Sequence, residues 1–292
     1  MEKIMGFFLD AITSGILMGL IFSLIALGLT IIFGVMNIVN FAHGEFLMVG
    51  MYIAYWCNVL IGLDPLFGLP FSIAAGILLG LASYYLLVRY LLRGPMIAQL
   101  FGTFGLMLFI RYLALFIWGP NFRTVSHGLL MGKSMLLGNV VVLDLSKVVP
   151  AIVSIIAFFI VSYVINNTKV GKALQATALD AEAASYMGIY ADRMNALAWA
   201  IGGGTVGLAG GLMVNFWYIT PEVGLLFVMI AFATVALGGF GSIKGAFYAG
   251  VIIGVIETLV GVKAPSFKFT IVYAAYFIIV VFRPQGLFGW KE

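Results

Sequence analysis

The stretch Gly34-Val35-Met36-Asn37-Ile38-Val39-Asn40-Phe41-Ala42-His43-Gly44-Glu45 decides how this chain is read. It interrupts a long apolar segment: Gly15–Phe33 before it is almost wholly apolar, and Phe46–Trp56 after it is apolar again. Asn37, Asn40, His43 and Glu45 lie between, with Gly34 and Gly44 among them. Hydrocarbon offers no hydrogen bonds, so a polar cluster at membrane depth needs a protein partner, a cavity or a solute. Two readings follow. The stretch is a polar turn between hairpinned helices at the cytoplasmic end, or a broken helix that lines a translocation path.

The rest of the chain sets the class. Of 292 residues 63% are hydrophobic and 9% charged, against roughly 25% charged in soluble domains. That composition belongs to an all-α polytopic membrane protein. The glycines, 36 in all, suit close helix packing in lipid. A net charge of +4 is scattered along the chain without a basic block, which points to loop anchors and not to nucleic acid. The single cysteine, Cys57, rules out an intrachain disulfide and sits in an apolar run. The first apolar run is too long for a signal-peptide core and is expected to be retained.

Apolar spans read at Ala11–Gly34, Gly44–Leu60, Leu66–Leu92, Ala98–Trp118, Val148–Ile165, Asn195–Trp217, Val223–Leu237, Gly245–Gly261 and Phe269–Phe282. This predicts about eight or nine transmembrane helices, since roughly 20 residues cross a bilayer. Two polar connections divide them: 119–147, with Pro120, His127, Gly128 and Gly138, and 166–193, the most charged part of the chain. Placing 166–193 in the cytoplasm gathers Arg89, Arg93, Lys169, Lys172, Arg193, Lys244, Arg283 and Lys291 inside, slightly more basic residues than the other face receives. The N-terminus is then outside and the C-terminus cytoplasmic.

The plan of the first break recurs. Gly238, Gly239, Gly241 and Ser242 form a second break, and an apolar helix with Gly245, Gly250 and Gly254 continues it. Paired Gly-interrupted segments point to a transport site between two related halves. Asn37, Asn40, His43, Glu45, Gly238, Gly239, Gly241 and Ser242 are therefore the candidates for a path or gate. Three ionisable residues lie in or near spans, Arg111, Lys244 and Glu257, and an Arg111–Glu257 pair or an anionic solute group at Arg111 would offset the cost. Gly203, Gly207 and Gly211 make a stripe for tight packing.

Other chemistry is excluded by spacing. Gly128–Ser134, GLLMGKS, lacks one residue between its glycines for a phosphate-binding loop and follows no strand. His43 and His127 have no metal-ligand spacing, so no metal site is expected, and no nucleophile–base–acid set is visible. The chain does not read as an enzyme. Within 166–193, Lys172–Met187 is rich in Ala, Leu and Gln and predicts a short helix that stops at Gly188. Its small-residue face suits a groove on a protein partner.

Four motifs in order carry a family resemblance over nearly the whole chain. Ala176–Ile189, ATALDAEAASYMGI, resembles the coupling helix of ABC-importer permeases. Ala26-Leu27-Gly28 with Gly34–Glu45 resembles the signature of the branched-chain amino acid permease family, its LivH-like half. Ala236–Ala246, ALGGFGSIKGA, resembles that family's second glycine motif, and Phe282–Gly289, FRPQGLFG, its C-terminal segment. The resemblance implies a single permease domain over 1–292: a first half 1–118, an extracytoplasmic connection 119–147, a cytoplasmic coupling loop 166–193 and a second half 194–292. It implies a prokaryotic plasma-membrane importer subunit for branched-chain amino acids or a related solute, such as other amino acids, urea, amides or aromatic acids. Its partners would be a homologous second permease, two ATP-binding subunits that hold ATP and Mg, and an extracytoplasmic solute-binding protein. No cofactor is expected in this chain. Asp180, Glu182, Ala183, Ala184, Met187 and Gly188 would form the contact with the ATPases. The alternative is a self-sufficient channel or secondary transporter for a small polar solute.

Overall fold

A computed structural model describes residues 2–137, 141–283 and 285–288; Gly138, Pro284, Gly289 and Lys291 lie outside them. The described chain is helical apart from one hairpin. The helices are α1 (Glu2–Met36), α2 (His43–Ile61), α3 (Pro65–Ser83), which continues through a π-helical turn Tyr84–Val88 into α4 (Arg89–Leu91), α5 (Met96–Trp118), α6 (Leu145–Asn167), α7 (Lys169–Leu179), α8 (Ala181–Tyr186), α9 (Ala191–Met213), α10 (Val223–Gly238), α11 (Ile243–Lys263) and α12 (Lys268–Phe282). Among the described residues, eight helical stretches are long and apolar enough to cross a membrane, while Val223–Gly238 is apolar but shorter. The fold is thus that of an all-α polytopic membrane protein. In the connection 119–147, β1 (Ser134–Leu137) and β2 (Val141–Asp144) pair antiparallel, a hairpin not foreseen in that loop.

Hydrogen bonds between distant segments define the two ends of the bundle. At the first end, Asp10 Oδ1 accepts the Val142 N–H at 2.8 Å, Asp64 Oδ2 accepts the Leu129 N–H at 2.6 Å, and Arg123 bridges Ile219. At the second end, Tyr84 donates its hydroxyl to Asp192 at 2.8 Å, and Arg89 Nε lies 3.2 Å from the same carboxylate oxygen. The helix α1 therefore ends where α9 begins, and the two run in opposite directions. Polar caps fix several helix starts: Asp64 on the Leu66 N–H, just before Pro65, Asp144 on Ser146, Thr168 on Gly171 and Ser242 on Gly245.

The two most extensive helix interfaces are α1 with α11 and α3 with α9. Both are backbone-close at glycines. A Cβ on Gly15 would lie 2.7 Å from the Val255 Cα, and one on Gly203 would overlap the Gly76 carbonyl. The expected stripe Gly203, Gly207, Gly211 meets a matching stripe on α3, Ser72, Gly76 and Gly80, and Ser72 Oγ donates to the Gly50 carbonyl at 2.9 Å. With no hydrophobic drive between helices in lipid, such close dispersion contacts supply the attraction.

These interfaces expose an inverted repeat. The units α1–α2–α3 and α9–α10–α11 follow one plan in opposite directions, and the first helix of each packs on the third helix of the other. Residues 37–42 correspond in this plan to 214–222, and 62–64 correspond to 239–242. The glycine-rich break at Gly238–Ser242 is thus the counterpart of the tight turn after α2. The pairing of that break with Gly34–Glu45 is corrected to 214–222. Glycines made the wrong segment conspicuous, whereas Asn215–Glu222, NFWYITPE, contains none.

Candidate functional site: the junction of two interrupted helices

The helix α1 closes on Asn37, which adopts φ +53°, a left-handed conformation that Asn tolerates better than most residues. Its N–H reaches the Phe33 carbonyl at 2.7 Å. The chain then turns back into the bundle. Asn40 Oδ1 accepts the Ala42 N–H at 3.0 Å, an Asx turn that launches α2. His43 opens α2, and its Nε2 donates to the Ile25 carbonyl at 2.9 Å. Ile25 precedes the end of α1 by about 16 Å at 1.5 Å per residue, so α2 starts deep inside the protein.

The second unit does the same from the other side. After α9, residues 214–222 dip inward, and α10 starts with Gly224 against Gly44. Each glycine is the second residue of its helix. A Cβ on Gly44 would overlap the Gly224 carbonyl, and one on Gly224 would lie 2.8 Å from the Gly44 carbonyl oxygen. Two helix N-termini, each carrying a partial positive charge, therefore converge within the bundle.

Glu45 fills the junction. It is fully buried, and its Oε1 accepts hydrogen bonds from Arg111 Nε at 3.1 Å and Nη2 at 2.5 Å. Its Oε2 has no hydrogen-bond partner among the described residues and would sit 2.7 Å from a Cβ on Gly224. The carboxylate is offset by a guanidinium and by two helix ends. Arg111 thus pairs with Glu45 and not with Glu257, which instead accepts from Lys268 Nζ at 3.0 Å. The sequence showed a charge in a span but not which of two carboxylates would approach it. Asn40 Nδ2 and His43 Nδ1 are likewise buried without a partner among the described residues.

Above the junction, toward the first end of the bundle, lies a cavity of about 640 Å³, within the usual range of small-molecule sites. Arg111, Thr220 and Glu222 line it, along with Phe122, Tyr273 of α12 and side chains of α5 and α10. Gly224, Thr220 and Glu222 were missed by sequence reasoning; the available signal was Pro221 interrupting an apolar run.

The remaining candidates fall in two further places. Phe33 and Phe240 pack with ring centroids 4.5 Å apart, and a Cβ on Gly34 would lie 3.3 Å from the Gly241 Cα. Gly238, Gly239, Gly241 and Ser242 therefore meet the end of α1 at the second end of the bundle, apart from Asn40, His43 and Glu45. The C-terminal segment closes this turn: Leu287 N–H donates to Leu237 O at 2.8 Å and Phe288 N–H to Gly238 O at 3.1 Å. Beside it, the expected single helix in 166–193 is two helices. Asp180 separates them, because its Oδ1 caps α8 through the Glu182 and Ala183 N–H groups at 2.9 Å. Gly188 ends α8 at φ +81°. Ala184 is buried, whereas Glu182, Ala183 and Met187 are exposed, and Leu179, Tyr186 and Met187 present apolar side chains to the surroundings.

Inverted units whose interrupted helices meet at a buried polar junction define a membrane transport protein. The chain belongs to the family described as branched-chain amino acid transport system / permease component, whose model matches residues 11–281. It is similar to the high-affinity branched-chain amino acid transport system permease protein BraD of Pseudomonas aeruginosa, 27% identical over 98% of this chain and 97% of the relative. It is also similar to the LivH permease proteins of such systems in Salmonella typhimurium and Escherichia coli K12, the latter 29% identical over 98% of this chain and 97% of the relative. No solved structure matches. The chain is a permease component of a transport system and a multi-pass membrane protein. Its homologues are transport subunits and not enzymes.

Proposed function

We propose that this chain is one of two homologous permease subunits of a prokaryotic importer for branched-chain amino acids, seated in the plasma membrane. Two ATP-binding subunits, which hold ATP and Mg, dock at α7–α8 on the cytoplasmic side. A soluble solute-binding protein delivers substrate to the opposite face, where the N-terminus and 119–147 lie. The observation that carries this reading is the α8 segment. A six-residue helix held by one buried alanine presents Tyr186 and Met187, about four-fifths exposed each, beside Leu179. Exposed apolar clusters on a capped, rigid element serve to contact protein partners. Cyclic closure of ATPases on this element would move α9, which begins at Ala191 with two residues between it and Gly188, and α9 packs on α1, α2 and α3. The motion thereby reaches the junction at Gly44 and Gly224.

Reconstitution of the chain with its partners tests this. Leucine uptake should require ATP, receptor and ATPase subunits together. Uptake by the permease alone, without ATP, would support a self-sufficient carrier instead.

A further inference from the structure

We propose that the cavity between α5 and α10 is the transport-path subsite for an aliphatic α-amino acid held as a zwitterion, with Arg111 taking its carboxylate and Glu222 its ammonium. This rests on the proposed function above and assigns residues to it.

Three observations carry the assignment. First, Arg111 divides its donors. Nε and Nη2 are engaged by one oxygen of Glu45, while among the described residues no hydrogen bond comes from Nη1, and Arg111 forms part of the cavity wall. A second carboxylate therefore finds a cation whose charge is already oriented and which keeps donors that Glu45 does not use. Second, Glu222 is exposed on the same wall with no cation within ion-pair distance among the described residues. A cation and an anion on one wall match the two charges on the Cα of an amino acid and reject a simple acid or amine, because either would leave one wall charge without its partner. Third, the remaining wall is mostly apolar: Leu115, Leu225 and Met229 line it beside Tyr112, Phe122 and Tyr273, and would receive an apolar side chain.

The arrangement also explains why Glu45 sits behind Arg111. A free Arg111 would hold a carboxylate tightly and oppose its release. Paired with Glu45, it offers a weaker contact, as a path that must bind and release requires.

The test uses the assembled transporter with Leu225→Cys in a Cys57→Ser background. Millimolar leucine should slow modification of that cysteine by a thiol reagent, whereas 4-methylpentanoate, which lacks the ammonium, and isopentylamine, which lacks the carboxylate, should not. Adding Glu222→Gln should abolish the protection and, in the Cys-containing chain, lower leucine uptake by at least about tenfold, the effect of losing one charge-assisted hydrogen bond. Equal protection by 4-methylpentanoate would overturn the role of Glu222. Leucine uptake at the normal rate without any protection would overturn the subsite. A complex that takes up no aliphatic amino acid at all would instead overturn the function on which the assignment rests.

Discussion

Gly44 and Gly224 lie back to back, each the second residue of a helix that begins inside the bundle, so close that a Cβ on either would strike the other's backbone. Helices from the two inverted units meet here beside a charge, since Glu45 follows Gly44 directly.

Gly224→Ala should consequently damage the protein more than a single methyl group suggests. The added carbon would lie 2.7 Å from Glu45 Oε2, and overpacking of this kind costs about 1–3 kcal/mol. A lower melting temperature of the purified complex and a transport rate reduced by about tenfold or more are expected. Gly105→Ala, on an open face of α5 where a Cβ would meet nothing within 4 Å, should raise or leave unchanged the melting temperature. Equal behaviour of the two variants would contradict the close junction.

Glu45 and Arg111 should be strongly non-additive. Removing one member strands a buried charge, which costs about 3–5 kcal/mol, while removing both does not. Thermal unfolding of Glu45→Gln, Arg111→Gln and the double variant should show the double variant more stable than either single one. Additive losses would mean that the pair does not form.

At Gly188 the backbone decides. A β-branched side chain at φ +81° is strained by roughly 1–2 kcal/mol, whereas Asn tolerates this region. Gly188→Val should impair receptor-stimulated ATP hydrolysis with normal amounts of chain in the membrane, and Gly188→Asn should restore most of it. Failure of Asn to do better than Val would remove the backbone explanation.

Single cysteines at Ser126 and Gln175, both exposed, in a Cys57→Ser background should react with an impermeant reagent from opposite faces of the membrane. Gln175 is expected on the cytoplasmic side. Labelling of both from one face would reject the orientation proposed for the termini.

Much of this was written in the sequence. Hydrocarbon cannot satisfy backbone groups, so long apolar runs could only be helices, and their number and rough limits followed from composition alone. The polar stretch Asn37–Glu45 announced an interruption because polar residues are costly at that depth. Gly188 announced a helix end because only a residue free of Cβ strain closes one at positive φ. Tertiary structure decided what periodicity does not encode. Arg111 lies sixty-six positions from Glu45 in the chain, and a charge pairs with whichever opposite charge the packing brings near. The same holds for the repeat. Its register is fixed by α1 on α11 and α3 on α9, contacts between distant segments, so the true counterpart of the first interruption was the glycine-free stretch Asn215–Glu222 and not the glycines at 238–241. Glycine marks where backbones come close or turn. Only the packed chain shows which of the two it does, and against what.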